Sequence, residues 1–163
     1  MKFKTFICCI FNEISISKYE RFLFELRKDY PVQDLYGNVP WKAPQEYLNE
    51  MGDPLVTTVI VLKNKYFLND VIDLKRYLIA KEIQTKLNNG SRILNLNPGY
   101  LSKNGIYLLT HKPNKKRGRE KIASDMWQEK QYDHDGVLKF NKNTFSEYRN
   151  QDRLDIFNKL YLY

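Results

Sequence analysis

Two short runs dominate what this chain can become. Phe6 to Phe11 is apolar at every position, and Leu55 to Leu62 is rich in β-branched residues with apolar side chains of both parities. Successive side chains of a strand point to opposite faces, so a run apolar on both faces reads as a strand covered on both sides. Neither run approaches the ~20 residues needed to cross a bilayer, which removes a membrane span from the reading. Both are read as central strands, and the first is expected over Lys2 to Phe11.

Around these strands the pattern alternates. Ser17 and Glu20 have the spacing of a capping box, and Tyr19, Phe22, Leu23, Leu26 and Tyr30 recur at helical intervals until Pro31 forbids continuation. Pro31 to Pro54 holds four of the six prolines and reads as a long ordered loop with a short helix at Pro44 to Met51. A second helix is expected from Leu68 to Asn88, stopped by Asn88-Asn89-Gly90. Short strands follow at Arg92 to Asn97, Ile106 to Lys112, Lys121 to Trp127 and Val137 to Phe140, then a terminal helix from Gln151. The expected fold is α+β: one domain over residues 1–163, with a single mixed, mostly antiparallel sheet and helices packed on one face. A β-α-β-α half (about 1–90), a β-rich half (about 91–150) and a tail (151–163) make up the chain.

Charge suggests partners without selecting one. The chain carries 27 Lys and Arg against 19 Asp and Glu, a net +8, and 19 of the basic residues are Lys. The excess is spread evenly except between Lys112 and Lys121, where six basic residues meet one acidic. A polyanion, a small anion and compositional bias alone all fit such a balance. Cys8 and Cys9 are neighbours on one strand and so point to opposite faces, where they cannot easily pair or share a metal; they read as two buried thiols, as in a reducing cytoplasm. With His111 and His134 as the histidines, there is no Cys/His set for zinc. The chain has no Walker-type phosphate loop, no dinucleotide fingerprint, no nucleophile elbow and no His-Glu-x-x-His, so no cofactor is assigned.

Two features carry candidate chemistry. On the second helix, Leu68, Val71, Ile72, Leu74, Leu78, Ile79 and Ile83 form an apolar arc, and Lys75 and Glu82 lie within it, two turns and ~10 Å apart. Charged side chains on a core-facing arc are costly unless they are paired, snorkel to water or meet a ligand. The string Asn95-Leu96-Asn97-Pro98-Gly99-Tyr100-Leu101 is the other: Pro98-Gly99 suits the centre of a type II turn, with Asn95, Asn97 and the Tyr100 hydroxyl near it as a polar wall. Lys115, Lys116, Arg117 and Arg119 in the basic run add charge suited to phosphate.

Tyr47 to Leu55, Asp73-Leu74-Lys75 with Glu82, Arg92 to Leu101, and Thr144-Phe145-Ser146-Glu147-Tyr148-Arg149 resemble, in order, the bacterial domain-of-unknown-function family 4416. The resemblance spans nearly the whole chain and implies no particular reaction. Where that family's pattern carries Asp, this chain has Asn97, which cannot act as a base; Leu78 and Ile79 stand where polar residues are usual. Three functions are open at this stage. The first is binding of a nucleotide or phosphorylated metabolite at Lys75, Glu82, Asn95, Asn97, Tyr100 and the basic loop. The second is binding of RNA or DNA by the basic surface, and the third is docking of a protein partner. Oligomeric state is not legible.

Overall fold

The structure, a computed structural model, describes residues 1–112 and 118–161. Eight strands form one sheet: β1 (Lys2–Asn12), β2 (Val32–Trp41), β3 (Leu55–Phe67), β4 (Leu94–Ser102), β5 (Gly105–Thr110), β6 (Glu120–Ala123), β7 (Met126–His134) and β8 (Leu138–Phe140). Their order is β2-β3-β1-β4-β5-β7-β6, with β8 also paired to β7, and every described pairing is antiparallel. Four helices accompany them: α1 (Ile16–Asp29), α2 (Gln45–Met51), α3 (Leu68–Gln84) and α4 (Gln151–Tyr161). The α+β class and the single, mostly antiparallel sheet are as expected. Among the described residues no helix is long and apolar enough to cross a membrane.

β1 and β3 are central because both their faces are apolar. Ile7, Cys9 and Phe11 join Ile60 and Leu62 beneath α1 and α3, which contribute Phe22, Leu26, Leu74 and Leu78. Phe6, Cys8, Val59 and Val61 face the other way, against Tyr148, Phe157 and Leu160. The expectation of helices on one face holds for α1 and α3, whereas α4 lies on the opposite face and α2 covers Ile10 and Leu55 there. The two-sided apolar runs require this second layer, since either face left open would keep its large side chains in water, at ~1.5–3 kcal/mol each. Cys8 and Cys9 fall in opposite layers, free and buried.

Several local expectations need correction. Ser17 does not cap α1: the N-cap is Ser15, reached through a 3-10 turn at Glu13–Ser15 in which the Asn12 side chain accepts the Ile14 N–H at 2.9 Å. The Pro31 to Pro54 segment is not a loop, because Val32–Trp41 pairs with β3 as an edge strand; the register shifts near Val32 and at Gly37, and Pro40 is tolerable only at such an edge. α3 ends at Gln84, not Asn88, as the Thr85 hydroxyl turns back to the Lys81 carbonyl at 3.0 Å. Lys121 to Trp127 is a hairpin between β6 and β7.

Pro98 and Gly99 lie inside β4 instead of forming a turn, paired with Ile7 and Phe6 of β1. β4 pairs with β1 from Leu94 to Leu101, but with β5 only from Gly99 to Ser102. Upstream of Gly99 the two strands part. Peptide groups two residues apart in a strand point the same way, so the nitrogen of Pro98, like that of Leu96, faces the opening, where no ladder bond is required of it. At Gly99 the sheet closes so tightly that a Cβ would collide with the Tyr107 carbonyl oxygen and the Phe6 ring.

Candidate functional site

The parting of β4 and β5 makes a slot through the sheet, and α3 fills it from one side with the two charged residues of its apolar arc. Lys75 is 3% exposed and Glu82 6%. The Lys75 ammonium donates to the Leu96 carbonyl at 3.1 Å and to Asn97 Oδ1 at 3.4 Å. Glu82 Oε2 accepts the Leu96 N–H at 2.9 Å. Neither side chain snorkels: together they replace the strand partner that Leu96 lacks. Ile83, placed on the same arc by the helical spacing, is exposed, because Glu82 takes the inward position in the last turn.

Beyond these residues lies a cavity of about 150 Å³ whose walls come from both layers. Asn95 and Asn97, two apart on β4, face it together, the Asn97 amide donating to Asn95 Oδ1 at 2.8 Å. His111 and Lys112, just past β5, form one rim, and Arg92, just before β4, another. Arg92 is clamped by Glu50 through two contacts at 2.9 Å and stands 3.7 Å from Glu82. Arg119 binds Glu129 of β7 at 2.7 Å and the Lys112 carbonyl at 2.6 Å, which fixes the far wall. A wider depression of about 330 Å³ shares Glu82, Arg92, His111 and Lys112 with the cavity.

The floor is supplied by a segment for which no chemistry was read from the sequence. A 3-10 turn at Ser146–Tyr148 brings Glu147 into the cavity, 6% exposed. The turn is pinned from several sides: the Tyr132 hydroxyl donates to the Tyr148 carbonyl at 2.6 Å, Asn150 to the Glu147 carbonyl at 3.0 Å, and Arg149 to the carbonyls of Thr144 and Asn141 at 2.8 and 2.7 Å. The Glu147 carboxyl itself has no hydrogen bond to a described residue. Its counter-charge is Arg153 of α4, 3% exposed, which holds the Thr57 hydroxyl with one arm and leaves Nη1 without a partner.

The electrostatics follow from burial. Loss of water pushes the Lys75 ammonium down to about 8; Glu82 opposes that shift, and the nearby Arg92 and Lys112 charges add to it. Burial also lowers His111, with Lys75, Lys112 and Arg92 contributing. Glu147 moves the other way, to about 7, because burial outweighs the pull of Arg153. An acid and a base poised near neutrality in one cavity are suited to binding or moving a proton.

The sequence-based candidates therefore divide. Lys75, Glu82, Asn95, Asn97 and Arg119 meet at the cavity. Tyr100 does not: an odd number of residues from Asn95 and Asn97, it faces the α3 side, donates to Gln128 and stacks on Tyr107. Reading Pro98-Gly99 as a turn misplaced it. Lys115, Lys116 and Arg117 lie outside the described residues. Arg92, Glu129, Glu147 and Arg153 were not singled out, although Arg92 and Glu147 belong to the strings that carry the family resemblance. Among the described residues no cluster of His, Cys, Asp and Glu is arranged to hold a metal ion.

Compared with known proteins, residues 2–162 match the model of a family described as Domain of unknown function (DUF4416). No curated protein and no solved structure matches the chain.

Proposed function

The chain belongs to the DUF4416 family, whose description names no activity, and from the site alone we propose that the cavity between α3, the parted ends of β4 and β5 and the Ser146–Tyr148 turn binds a small anionic ligand through a phosphoryl or carboxyl group. The observation that carries this reading is the Lys75 ammonium: buried, joined to Leu96 and Asn97 by contacts at the long end of hydrogen-bonding distance, and flanked by Arg92, Lys112 and Arg119 on the same cavity. Lys75 satisfies the Leu96 carbonyl, but a neutral donor would do the same without the cost of burying a charge beside Arg92, Lys112 and Arg119. An anion relieves that cost.

Size limits what enters. At about 150 Å³ the cavity is below the ~300–1,000 Å³ of pockets that enclose a whole drug-sized molecule. It takes the anionic group of a phosphorylated metabolite or nucleotide, and the remainder lies over the adjoining depression. The test is thermal denaturation of the wild type, Lys75→Met and Lys112→Ala with and without inorganic phosphate. Saturating anion raises the wild-type Tm, by an amount equivalent to ~2.7 kcal/mol at a hundredfold excess over Kd. The rise is lost in Lys75→Met and reduced in Lys112→Ala. An equal rise in all three places the anion elsewhere.

A further inference from the structure

We infer that this site selects an oxyanion that still carries a proton, hydrogen phosphate being the simplest, because Glu147 presents to the cavity a carboxyl group that no described residue engages through a hydrogen bond. The inference rests on the anion-binding reading and names the class of anion. Three carboxylates line the cavity, and two of them are occupied. Glu82 holds the Leu96 N–H and faces Arg92; Glu129 holds Arg119. Glu147 is more than nine-tenths buried, and Arg153, its counter-charge, makes no ion pair with it within 4.0 Å.

A buried carboxylate beside a bound anion is repulsive unless a proton lies between them. An anion with an O–H supplies that proton and turns the repulsion into a short charge-assisted hydrogen bond. A fully deprotonated anion of the same size cannot, and leaves two buried charges opposed. Sulfate and hydrogen phosphate differ in that respect at neutral pH. The pinned Ser146–Tyr148 turn gives the carboxyl no easy retreat from the cavity.

The groups that face Glu147 set when this discrimination operates. They are Arg153 on α4, Cys8 on β1, Tyr47 on α2, Tyr132 on β7 and Tyr148 in the same turn, with Lys75, Arg92, Arg119, His111, Lys112, Glu82 and Glu129 across the cavity; Cys9, on the other face of β1, feels the same charge through the sheet. Burial holds the Glu147 carboxyl near 7. Below that pH it is an acid and donates to either anion; above it, it is an acceptor and requires the ligand to donate. Lys75 also titrates, near 8, but its loss weakens both anions alike, so the ratio of affinities isolates Glu147.

Calorimetric titration with sulfate and with inorganic phosphate, at pH 6 and pH 8, on the wild type and Glu147→Gln, tests the inference. At pH 8 the wild type prefers phosphate by about tenfold or more, the scale of one charge-assisted hydrogen bond. The preference collapses at pH 6, and in Glu147→Gln it is absent at both pH values, because the amide donates to either anion. An unchanged preference in Glu147→Gln, or equal affinities in the wild type at pH 8, overturns the inference and leaves the anion site standing. Absence of binding by either anion at either pH overturns both.

Discussion

The Glu82 carboxylate accepts the backbone N–H of Leu96 at 2.9 Å, in the place where the carbonyl of a neighbouring strand would stand. Lys75 completes the imitation by donating to the Leu96 carbonyl. A helix thus supplies one residue's worth of β-ladder, and the sheet opens there without leaving a peptide group unsatisfied.

Removing the mimic is costly in proportion to what it leaves bare. Glu82→Ala orphans a buried N–H and leaves Lys75 without its nearest counter-charge, a loss of about 3–5 kcal/mol. Glu82→Gln keeps an acceptor and recovers part of that loss. Urea denaturation of the two variants checks the order, and equal costs contradict the ladder role.

The Glu147 carboxyl binds its proton more tightly in the folded chain, near pH 7, than at its ordinary value of 4.5. Its contribution to stability is therefore complete below about pH 4.5, declines as the pH rises towards 7, and is lost above. Glu147→Gln removes the decline, so the variant gains on the wild type across that interval, by about 3 kcal/mol at the upper end. Denaturation midpoints between pH 4 and pH 8 give the comparison; parallel profiles rule the shift out.

Gly99→Ala places a methyl group against the Tyr107 carbonyl oxygen and the Phe6 ring. The backbone oxygen cannot swing aside, so the strands separate at a cost of about 3 kcal/mol. For a chain of this length that corresponds to a Tm lower by about 10 °C. An unchanged Tm refutes the close approach.

Tyr100→Phe loses the hydroxyl bond to Gln128, about 1 kcal/mol. Because the ring faces the α3 layer and not the cavity, phosphate raises the Tm of this variant as much as that of the wild type. A lost response returns Tyr100 to the site.

The sequence was legible where a single element carried the signal. Lys75 and Glu82 stood out because a charge within an apolar helical arc is anomalous before any partner is known. The central strands were legible from their two-sided apolar runs, and the same runs called for the second layer of helices that the one-face expectation left out. Pro98-Gly99 misled because local turn chemistry competes with pairing: Pro98 is harmless in β4 only because the sheet opens beside it, and that opening is made by α3, some twenty residues earlier. Glu147 was illegible for a related reason. Its short turn has no periodicity, and its burial depends on β7, whose Tyr132 pins the Tyr148 carbonyl from sixteen residues away.

A continuous sheet insulates the residues above it from those below, so that each layer is free to vary by itself. The slot between β4 and β5 removes that insulation at one point. Side chains of α3 and of the Ser146–Tyr148 turn line one enclosure, although they belong to opposite sides and to distant parts of the chain. Charge carried by either layer then enters the same enclosure, Lys75 from α3 and Glu147 from the turn.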